Sequence, residues 1–414
     1  MSPFSYRDGQ LFVEDVPLSR VAAEVGTPSY VYSRAALTAA FESFDGAFKG
    51  HDHLVCYAVK ANSNLAILDV FARLGSGFDI VSGGELQRVL AAGGDPAKVV
   101  FSGIGKSEAE LKSALRAGIL CFNVESADEL ERLDRIAGAL RVRAPISLRV
   151  NPDVDAGTHP YIATGLKQNK FGIPYTQARA LYARALQCRN IAIEGIDCHI
   201  GSQLTDIAPM AEAFGKIAEL VAQLEQDGIE LRHVDLGGGI GIRYEDETPV
   251  ALADYVAAVT RAFAGCKHKL LFEPGRLLTG NGGLLLTRVE HVKRGEDRNF
   301  AIVDAAMNDL LRPALYDAWH EVLAVRQGGR EDLYDVVGPI CETGDFLARA
   351  RTLAAAEGDL LAIMSAGAYG MSMASNYNSR PRAAEVMVDG SDIHVVRERE
   401  AVTDLYARER RLPS

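Results

Sequence analysis

A lysine ends an apolar, strand-like run early in the chain. Residues 54–59 read Leu-Val-Cys-Tyr-Ala-Val, Lys60 follows, and small polar residues typical of a turn come next. An ammonium group at the end of a buried strand needs a partner, because an unpaired buried charge is costly. Burial also lowers the pKa of an amine, as a lysine that forms a Schiff base requires. The alternative is a lysine that buries only its aliphatic stem and keeps its charge in water.

Glycine-containing turns follow two later strand-like segments. Gly237, Gly238 and Gly239 form one turn, and Gly275 follows Glu273 in the other. Such turns let backbone N–H groups approach a phosphate closely, although a glycine cluster alone more often marks only a tight turn. A Schiff-base lysine together with a phosphate site indicates pyridoxal 5′-phosphate (PLP).

Glu273 and His199 are the candidates for contacts with the ring of this cofactor. A carboxylate beside the pyridine nitrogen would keep the ring protonated and strengthen it as an electron sink. The alternative for Glu273 is an exposed loop carboxylate or a salt-bridge partner of Arg276. A strand-end histidine such as His199 is more often structural than catalytic. Beside the lysine and the glutamate, however, it is a candidate for stacking on the ring, and Ser202 could reach the phosphate.

The elements that position these residues alternate regularly from about residue 35. Helical patterns separate eight strand-like runs, which predicts an α/β protein with a parallel sheet and favours a (β/α)₈ TIM barrel. A doubly wound open sheet is the alternative, but no GxGxxG motif follows the first run. The runs are residues 53–60, 78–82, 99–103, 121–126, 146–152, 193–201, 233–239 and 269–275.

The candidate residues stand at the ends of these runs. Lys60, Arg149, His199, Gly237–Gly239 and Glu273 all lie at or near predicted C-terminal strand ends, and barrel enzymes build their active sites at that face. The two glycine turns follow the seventh and eighth runs, where such barrels frequently bind phosphate. These positions therefore predict one shared site.

The pattern changes to short β-strands after residue 280. Residues 283–293, 300–303, 333–337, 360–364, 384–388 and 393–396 are strand-like and punctuated by glycine. They predict a second, mostly antiparallel β domain, a barrel or a sandwich, which the N-terminal strand-like pieces would join. The predicted domains are a PLP-binding barrel over residues 30–278 and a discontinuous C-terminal β domain over residues 1–29 plus 279–414.

Composition and charge exclude several classes of protein. A net charge of −11 argues against nucleic acid and anionic membranes as partners. No apolar run reaches transmembrane length, and the first residues lack the apolar segment of a secretory signal. Six cysteines are scattered without a CxxC pair, which indicates reduced thiols and no metal site. We therefore expect a cytoplasmic protein.

A series of short motifs runs along nearly the whole chain. They are residues 57–62 (YAVKAN), 78–85 (FDIVSGGE), 150–152 (VNP), 170–172 (KFG), 199–202 (HIGS), 237–239 (GGG), 273–276 (EPGR), 312–316 (RPALY), 338–342 (GPICE) and 367–370 (GAYG). In these motifs the chain resembles the fold type III PLP-dependent decarboxylases, and within them the diaminopimelate decarboxylase group. One minor variation is Thr343, where members of the group often have serine.

The resemblance implies a role for each matching residue. Lys60 would form the Schiff base, His199 would stack on the ring, and Glu273 would pair with the pyridine nitrogen. Cys341 would donate a proton from the partner subunit of a homodimer with shared active sites; without the resemblance, an inert buried thiol is the simpler interpretation. The other cofactor-binding residues would be Asp79, Arg149, Ser202, Gly238, Gly239, Gly275, Arg276 and Tyr369.

The resemblance also implies meso-2,6-diaminopimelate as the substrate, with L-lysine and CO₂ as products in the last step of lysine biosynthesis. The distal end of this substrate carries a carboxylate and an ammonium group. Arg276 and Arg312, with Tyr316, suit the carboxylate, because a guanidinium binds it with two hydrogen bonds. Glu342 suits the ammonium group, and Tyr369 is a further candidate for substrate contact. The alternative for Arg312 is a surface ion pair.

Three other functions remain open from the sequence. The protein could be a decarboxylase of another amino acid with a carboxylate-bearing tail. It could also be an amino-acid racemase of the same fold group, or a catalytically inactive homologue that regulates a partner protein. Racemases of this group typically have arginine where Glu273 stands. A binding protein would have no need for the set of Lys60, His199, Glu273, Cys341 and Glu342.

Overall fold

The described residues form two compact units. The computed structural model describes residues 3–155 and 170–413. Unit 1 comprises Met1–Ala39, Tyr244–Asp246 and Thr279–Ser414, and unit 2 comprises Ala40–Arg243 and Glu247–Leu278. Residues 1–2, 156–169 and 414, which belong to the predicted domain spans, lie outside the described residues.

The N-terminal segment belongs to the β-rich unit 1. Strands β1 to β3 pair with one another in antiparallel fashion, whereas β4 pairs with strands from the C-terminal part of the chain. Strand β4 begins at Ser29 and pairs within unit 1, so this unit extends beyond the predicted boundary at residue 29. It continues to Ala39, and we propose residues 39/40 as the boundary. The elements are β1 (Phe4–Arg7), β2 (Gln10–Val13), β3 (Val16–Pro17), α1 (Leu18–Val25), β4 (Ser29–Ser33) and α2 (Arg34–Ala47).

Eight parallel strands among the described residues of unit 2 close into a barrel. The strands are hydrogen-bonded in the order β5-β6-β7-β8-β9-β11-β12-β13. Strand β13 also pairs with β5, which closes the ring. The predicted (β/α)₈ TIM barrel is therefore confirmed. The strands are β5 (His53–Ala58), β6 (Gly77–Ile80), β7 (Val99–Phe101), β8 (Cys121–Val124), β9 (Ala144–Asn151), the short additional strand β10 (Ile173–Pro174), β11 (Ile191–Asp197), β12 (His233–Asp235) and β13 (Lys269–Phe272).

The barrel strands end earlier than the sequence predicts. Strand β5 ends at Ala58, so Lys60 lies in a single 3₁₀ turn, Val59–Ala61, rather than in the strand. Strand β12 ends at Asp235, and the glycine turn that follows has positive φ angles of 65° at Gly237 and 106° at Gly239. Glycine adopts such angles without strain, and they end the regular strand geometry. The candidate residues consequently lie in short loops at the C-terminal ends of the strands.

Three helices that follow barrel strands begin with the same local motif. The side chains of Ser82, Ser107 and Ser126 each accept a hydrogen bond from the backbone N–H three residues later, where a glutamate stands. This bond satisfies an N–H group that the first helical turn leaves unpaired, so each helix has a defined first residue. The helices are α3 (Leu65–Arg73), α4 (Gly83–Ala91), α5 (Glu108–Ala117), α6 (Ala127–Leu140), α7 (Tyr175–Ala185), α8 (Ile207–Gln226) and α9 (Leu252–Ala262).

Four aromatic side chains fill the space between barrel and helices beside β13. Phe48 lies against Phe272 with ring centroids 4.2 Å apart, Phe44 meets the same ring edge-on at 5.6 Å, and Tyr255 meets Phe48 edge-on at 6.1 Å. All four side chains are buried. Because each ring contributes a large apolar area, this cluster contributes to the hydrophobic core of unit 2.

We expect replacement of Phe48 by alanine to destabilise unit 2 by about 3–5 kcal/mol, because the variant leaves a cavity against Phe272. Phe48→Leu should cost less, since part of the space stays filled. Urea unfolding followed by circular dichroism measures both values. Tyr406→Ala, at a side chain that is 53% exposed, is the control. If Phe48→Ala lowered the free energy of unfolding no more than Tyr406→Ala does, the aromatic cluster would not stabilise the fold.

A large mostly antiparallel sheet forms the rest of unit 1. Its order is β18-β17-β15-β14-β4-β20-β21, with β19 pairing with β14 and β16; β15 with β17 and β20 with β4 are parallel. The second β domain is thus confirmed, but strands β16 and β18 were not predicted. The elements are α10 (Arg276–Thr279), β14 (Gly283–Arg294), β15 (Asn299–Val303), α11 (Arg312–Tyr316), β16 (Val322–Ala324), β17 (Asp332–Val337), β18 (Phe346–Leu353), β19 (Leu360–Ile363), β20 (Ala384–Asp389), β21 (Asp392–Arg397) and α12 (Val402–Tyr406).

The core of unit 1 brings its N-terminal and C-terminal parts together. Buried side chains of β2, α1 and β4, such as Val13, Leu18 and Val31, pack with Leu284 of β14 and Val386 of β20. These contacts explain why the N-terminal strands join the β domain. Among the described residues, none of the helices has both the length and the apolar character required to cross a membrane.

Candidate active site

Lys60 and Asp79 form an ion pair at the ends of neighbouring barrel strands. Ala58, the last residue of β5, is in register with Asp79 of β6, so the turn that follows Ala58 directs Lys60 towards this carboxylate. Lys60 Nζ donates to Asp79 Oδ2 at 2.6 Å. The Asp79 side chain is fully buried, whereas that of Lys60 is 34% exposed. The amine therefore has a fixed partner and an accessible side, which does not fit a lysine whose charge lies in bulk water.

Three further carboxylates are buried together in the barrel. Oxygen atoms of Asp197, Asp235 and Glu273 all lie within 4.8 Å of one another. Burial raises the pKa of Glu273 well above its usual value, and the charges of Asp235 and Asp79 raise it further. Burial also raises the pKa of Asp235 to about 7. Because crowded carboxylates repel one another, a cationic N–H group beside Glu273 would be bound favourably. The burial of Glu273 excludes an exposed loop carboxylate.

The raised pKa of Asp235 predicts that its contribution to the free energy of unfolding decreases as the pH rises. Its pKa is raised to about 7 in the folded protein and is about 3.9 in an unfolded chain. The folded state therefore binds more protons between about pH 4 and 7, so the contribution is present at low pH and lost through this range. We expect the melting temperature of the Asp235→Asn apoprotein to rise, relative to the wild-type apoprotein, between about pH 5 and 8.

The control for this prediction is Asp227→Asn. Asp227 is exposed, and its hydrogen bond from Arg179 lowers its pKa, so it stays ionised across the same pH range. Its replacement should give a melting-temperature difference that is constant with pH. An Asp235→Asn difference that is equally constant would contradict the raised pKa of Asp235.

His199 lies against the glycine turn. The Gly238 N–H donates to His199 Nδ1 at 3.2 Å, so the proton of the neutral imidazole is on Nε2. Burial, and then the charges of Arg149 and Lys60, lower the pKa of His199 well below its usual value. A Cβ atom on Gly237 would lie only 2.8 Å from His199 Nδ1, so glycine is required for this approach. The result is a flat, neutral ring at the barrel end.

The glycine turns bring backbone segments unusually close to one another. A Cβ atom on Gly238 would lie 2.2 Å from the Glu273 carbonyl oxygen, and one on Gly239 would lie 2.5 Å from that of Gly201. Beside them, the Arg276 guanidinium donates to Ser202 Oγ at 3.1 Å. This combination of glycine backbone, a hydroxyl group and a buried guanidinium suits an anion such as phosphate.

Arg149 is held by carboxylates that sequence reasoning missed. Its guanidinium lies 3.2 Å from Glu125 Oε1 and 3.8 Å from Asp197 Oδ2. Glu125 also accepts from the backbone N–H groups of Gly103 (2.9 Å) and Gly172 (3.0 Å), so it ties three loops of the barrel end together. Asp197 and Asp235 end their strands and Glu125 follows one, so the strand-end criterion that selected Lys60 and Arg149 could have found all three.

Comparison with known proteins assigns the family. Residues 34–280 match the pyridoxal-dependent decarboxylases, over their pyridoxal binding domain. The chain is also 60% identical to the diaminopimelate decarboxylase of Pseudomonas aeruginosa over 414 residues, which are 100% of both chains. The chain belongs to the diaminopimelate decarboxylase family of PLP-dependent enzymes.

Solved structures of this family share the fold. A diaminopimelate decarboxylase from Helicobacter pylori, in complex with L-lysine, aligns with a TM-score of 0.92 and 44% identity, covering 95% of this chain and 99% of that one. The enzyme from M. jannaschii, also in complex with L-lysine, aligns with a TM-score of 0.95 and 37% identity, covering 100% and 99%. Both similarities extend over the two units of the chain.

The cofactor of the diaminopimelate decarboxylases is PLP, and the residues of unit 2 fit it. A partly accessible lysine amine is available for its aldehyde carbon, and the glycine turns with Arg276 and Ser202 suit its phosphate. The crowded, buried Glu273 suits a protonated ring nitrogen. The predicted cofactor residues Lys60, Asp79, Arg149, His199, Ser202, Gly238, Gly239, Glu273, Gly275 and Arg276 all belong to unit 2.

Five predicted site residues belong to unit 1. Arg312 and Tyr316 begin and end the short helix α11, and Arg312 is buried, which excludes a surface ion pair. Cys341 is the one exposed thiol among the six cysteines, all of which lie in the described part of the chain; it is therefore not an inert buried thiol. Glu342 accepts a hydrogen bond from the Tyr377 hydroxyl, and Tyr369 has a positive φ of 56°.

Proposed function

We propose that this protein decarboxylates meso-2,6-diaminopimelate to L-lysine and CO₂ in the last step of lysine biosynthesis. The observation that carries the proposal is the 60% identity, over the full length of both chains, with a curated diaminopimelate decarboxylase. L-lysine in the structures of two relatives supports it, because lysine is the product of this reaction. Bound PLP would supply an acceptor for the electron pair of the C–CO₂ bond.

The residues of unit 2 would hold the cofactor. Lys60 would bind it covalently through Nζ as a Schiff base, with Asp79 orienting the amine. Glu273 would accept a hydrogen bond from the ring nitrogen, and the neutral His199 ring would stack on the cofactor. Arg149 would keep neighbouring carboxylates in place. Phosphate contacts would come from Ser202, Gly238, Gly239, Gly275, Arg276 and Tyr369.

The distal end of the substrate would determine specificity. Arg276 and Arg312, with Tyr316, would bind the distal carboxylate, since guanidinium groups match carboxylates in geometry and charge. Glu342 would bind the distal ammonium group, and Tyr369 would provide a further contact. After the C–C bond breaks and CO₂ leaves, the Cys341 thiol would donate a proton to Cα, which forms the new C–H bond.

The proposed active form is a cytoplasmic homodimer that shares its active sites. Cys341 would come from one subunit and Lys60 from the other, while the acidic net charge of −11 argues against nucleic acid or membrane partners. The exposure of the Cys341 thiol supports this arrangement, because a thiol that acts in a neighbouring subunit must lie at the surface of its own chain.

An absorbance spectrum with and without meso-2,6-diaminopimelate tests the proposal, with lysine assayed in the same sample. We expect a visible band that borohydride removes and one lysine for each diaminopimelate consumed. A band without lysine would contradict the substrate, and other carboxylate-tailed amino acids would then be tested by competition. The absence of a band after reconstitution with PLP would contradict the role of Lys60.

A further inference from the structure

The Arg312 guanidinium is enclosed by two aromatic residues of unit 1. Arg312 Nη1 lies 3.1 Å from His320 Nε2, and the guanidinium carbon lies 4.5 Å from the ring centre of Tyr244. The His320 and Tyr244 rings meet edge-on, with centroids 5.3 Å apart. All three side chains are buried. The guanidinium is therefore held on two sides by residues of its own unit.

The hydrogen bonds of His320 define its protonation state. His320 Nδ1 lies 2.8 Å from the Met364 carbonyl oxygen, which can only accept, so Nδ1 must carry a proton. Arginine can only donate, so Nε2 must offer its lone pair to Arg312. Both bonds exist together only in the neutral imidazole with the proton on Nδ1. His320 therefore orients Arg312 and leaves its positive charge in place. A carboxylate partner would neutralise that charge.

We infer that His320 is a positioning residue for substrate specificity, which acts by aiming the Arg312 guanidinium at the distal carboxylate of the substrate. The inference rests on the proposed function, in which Arg312 binds that carboxylate. Two parallel hydrogen bonds between a guanidinium and a carboxylate require a defined orientation, so loss of the His320 contact weakens recognition of the carboxylate in particular. Tyr244 supports the same orientation from the ring face through a cation–π contact.

A pair of variants separates the two hydrogen bonds of His320. His320→Asn keeps a donor near Met364 but removes the acceptor for Arg312, whereas His320→Gln places an acceptor near Arg312 and gives up the bond to Met364. The readout is the inhibition constant of the PLP-loaded enzyme for L-lysine, which carries the distal carboxylate, and for cadaverine, which lacks it. We expect His320→Asn to raise the lysine constant about tenfold and the cadaverine constant less than about twofold.

His320→Gln should raise the lysine constant less than about threefold. A structural disturbance alone would raise the inhibition constants for lysine and cadaverine by the same factor. It would also give the same result for His320→Asn and His320→Gln. Either of these two outcomes overturns the inference. Tyr244→Leu and Tyr244→Phe form a second pair in case the His320 variants do not fold. Leucine should weaken lysine binding selectively because it lacks the ring face, whereas phenylalanine retains it. Equal effects of the two Tyr244 variants would also overturn the inference.

Arg312→Lys distinguishes this inference from the proposed function. If it leaves both inhibition constants unchanged, Arg312 does not bind the distal carboxylate and the proposed substrate contact is wrong. If it weakens lysine binding while His320→Asn and Tyr244→Leu do not, the proposed contact stands and only the positioning role of His320 is wrong.

Discussion

Replacing Lys60 by alanine is expected to reduce turnover of meso-2,6-diaminopimelate by at least about 10⁴-fold, because the variant lacks the amine that would bind the cofactor covalently. The substitution also removes the partner of the buried Asp79 carboxylate, so some loss of stability accompanies it. Steady-state lysine production measures the effect, and circular dichroism with a melting curve shows whether the barrel remains folded.

Lys60→Arg is the matched control for charge. Arginine retains a cation for Asp79, so stability should recover, but its guanidinium stays protonated and does not form a Schiff base. We expect this variant to be folded and as inactive as Lys60→Ala, with no band that borohydride removes. Turnover above about a tenth of the wild-type value in either variant would contradict the assignment of Lys60.

Replacing Cys341 by alanine is expected to lower turnover by about 10²- to 10⁴-fold, the usual contribution of a positioned proton donor. If Lys60 and Cys341 act in one active site from different subunits, as proposed, mixing the Cys341→Ala and Lys60→Ala chains restores activity. Random reassociation makes about half of the dimers mixed, and each mixed dimer has one complete site, so about a quarter of wild-type activity should return.

Two controls accompany the mixing experiment. Cys188→Ala removes a thiol outside the proposed site and should leave turnover unchanged. Differently tagged chains show how much mixed dimer has formed. Mixed dimers without recovered activity would mean that Lys60 and Cys341 do not share an active site across subunits, even if each single variant is inactive.

The alternation of strands and helices made the barrel predictable from the sequence. The barrel strands are apolar runs that alternate with helices, several of which begin at a capping residue such as Ser82 or Ser107. These signals are local. Strand ends were less predictable, because whether a run continues depends on its neighbours in the sheet. Strands β16 and β18 of unit 1 were missed because they are short or carry arginines on an exposed face.

The candidate residues could be predicted, but their environment could not. Lys60, His199 and Glu273 stand out by residue type at strand ends. The three carboxylates of Asp197, Asp235 and Glu273 come together only because separate strands are neighbours in a closed barrel. The raised pKa of Glu273 follows from that crowding and from burial, and neither property can be read from a single strand.

The sequence by itself determined the eightfold β/α pattern, the β-rich second domain and the lysine, histidine and glutamate at strand ends, because periodicity and residue type are local properties of the chain. Only the tertiary structure decided that Asp79 pairs with Lys60, that Glu125 holds Arg149, and that His320 offers a lone pair to Arg312. These contacts depend on distances between groups from separate elements, and hydrogen bonding and protonation follow such distances rather than separation along the chain.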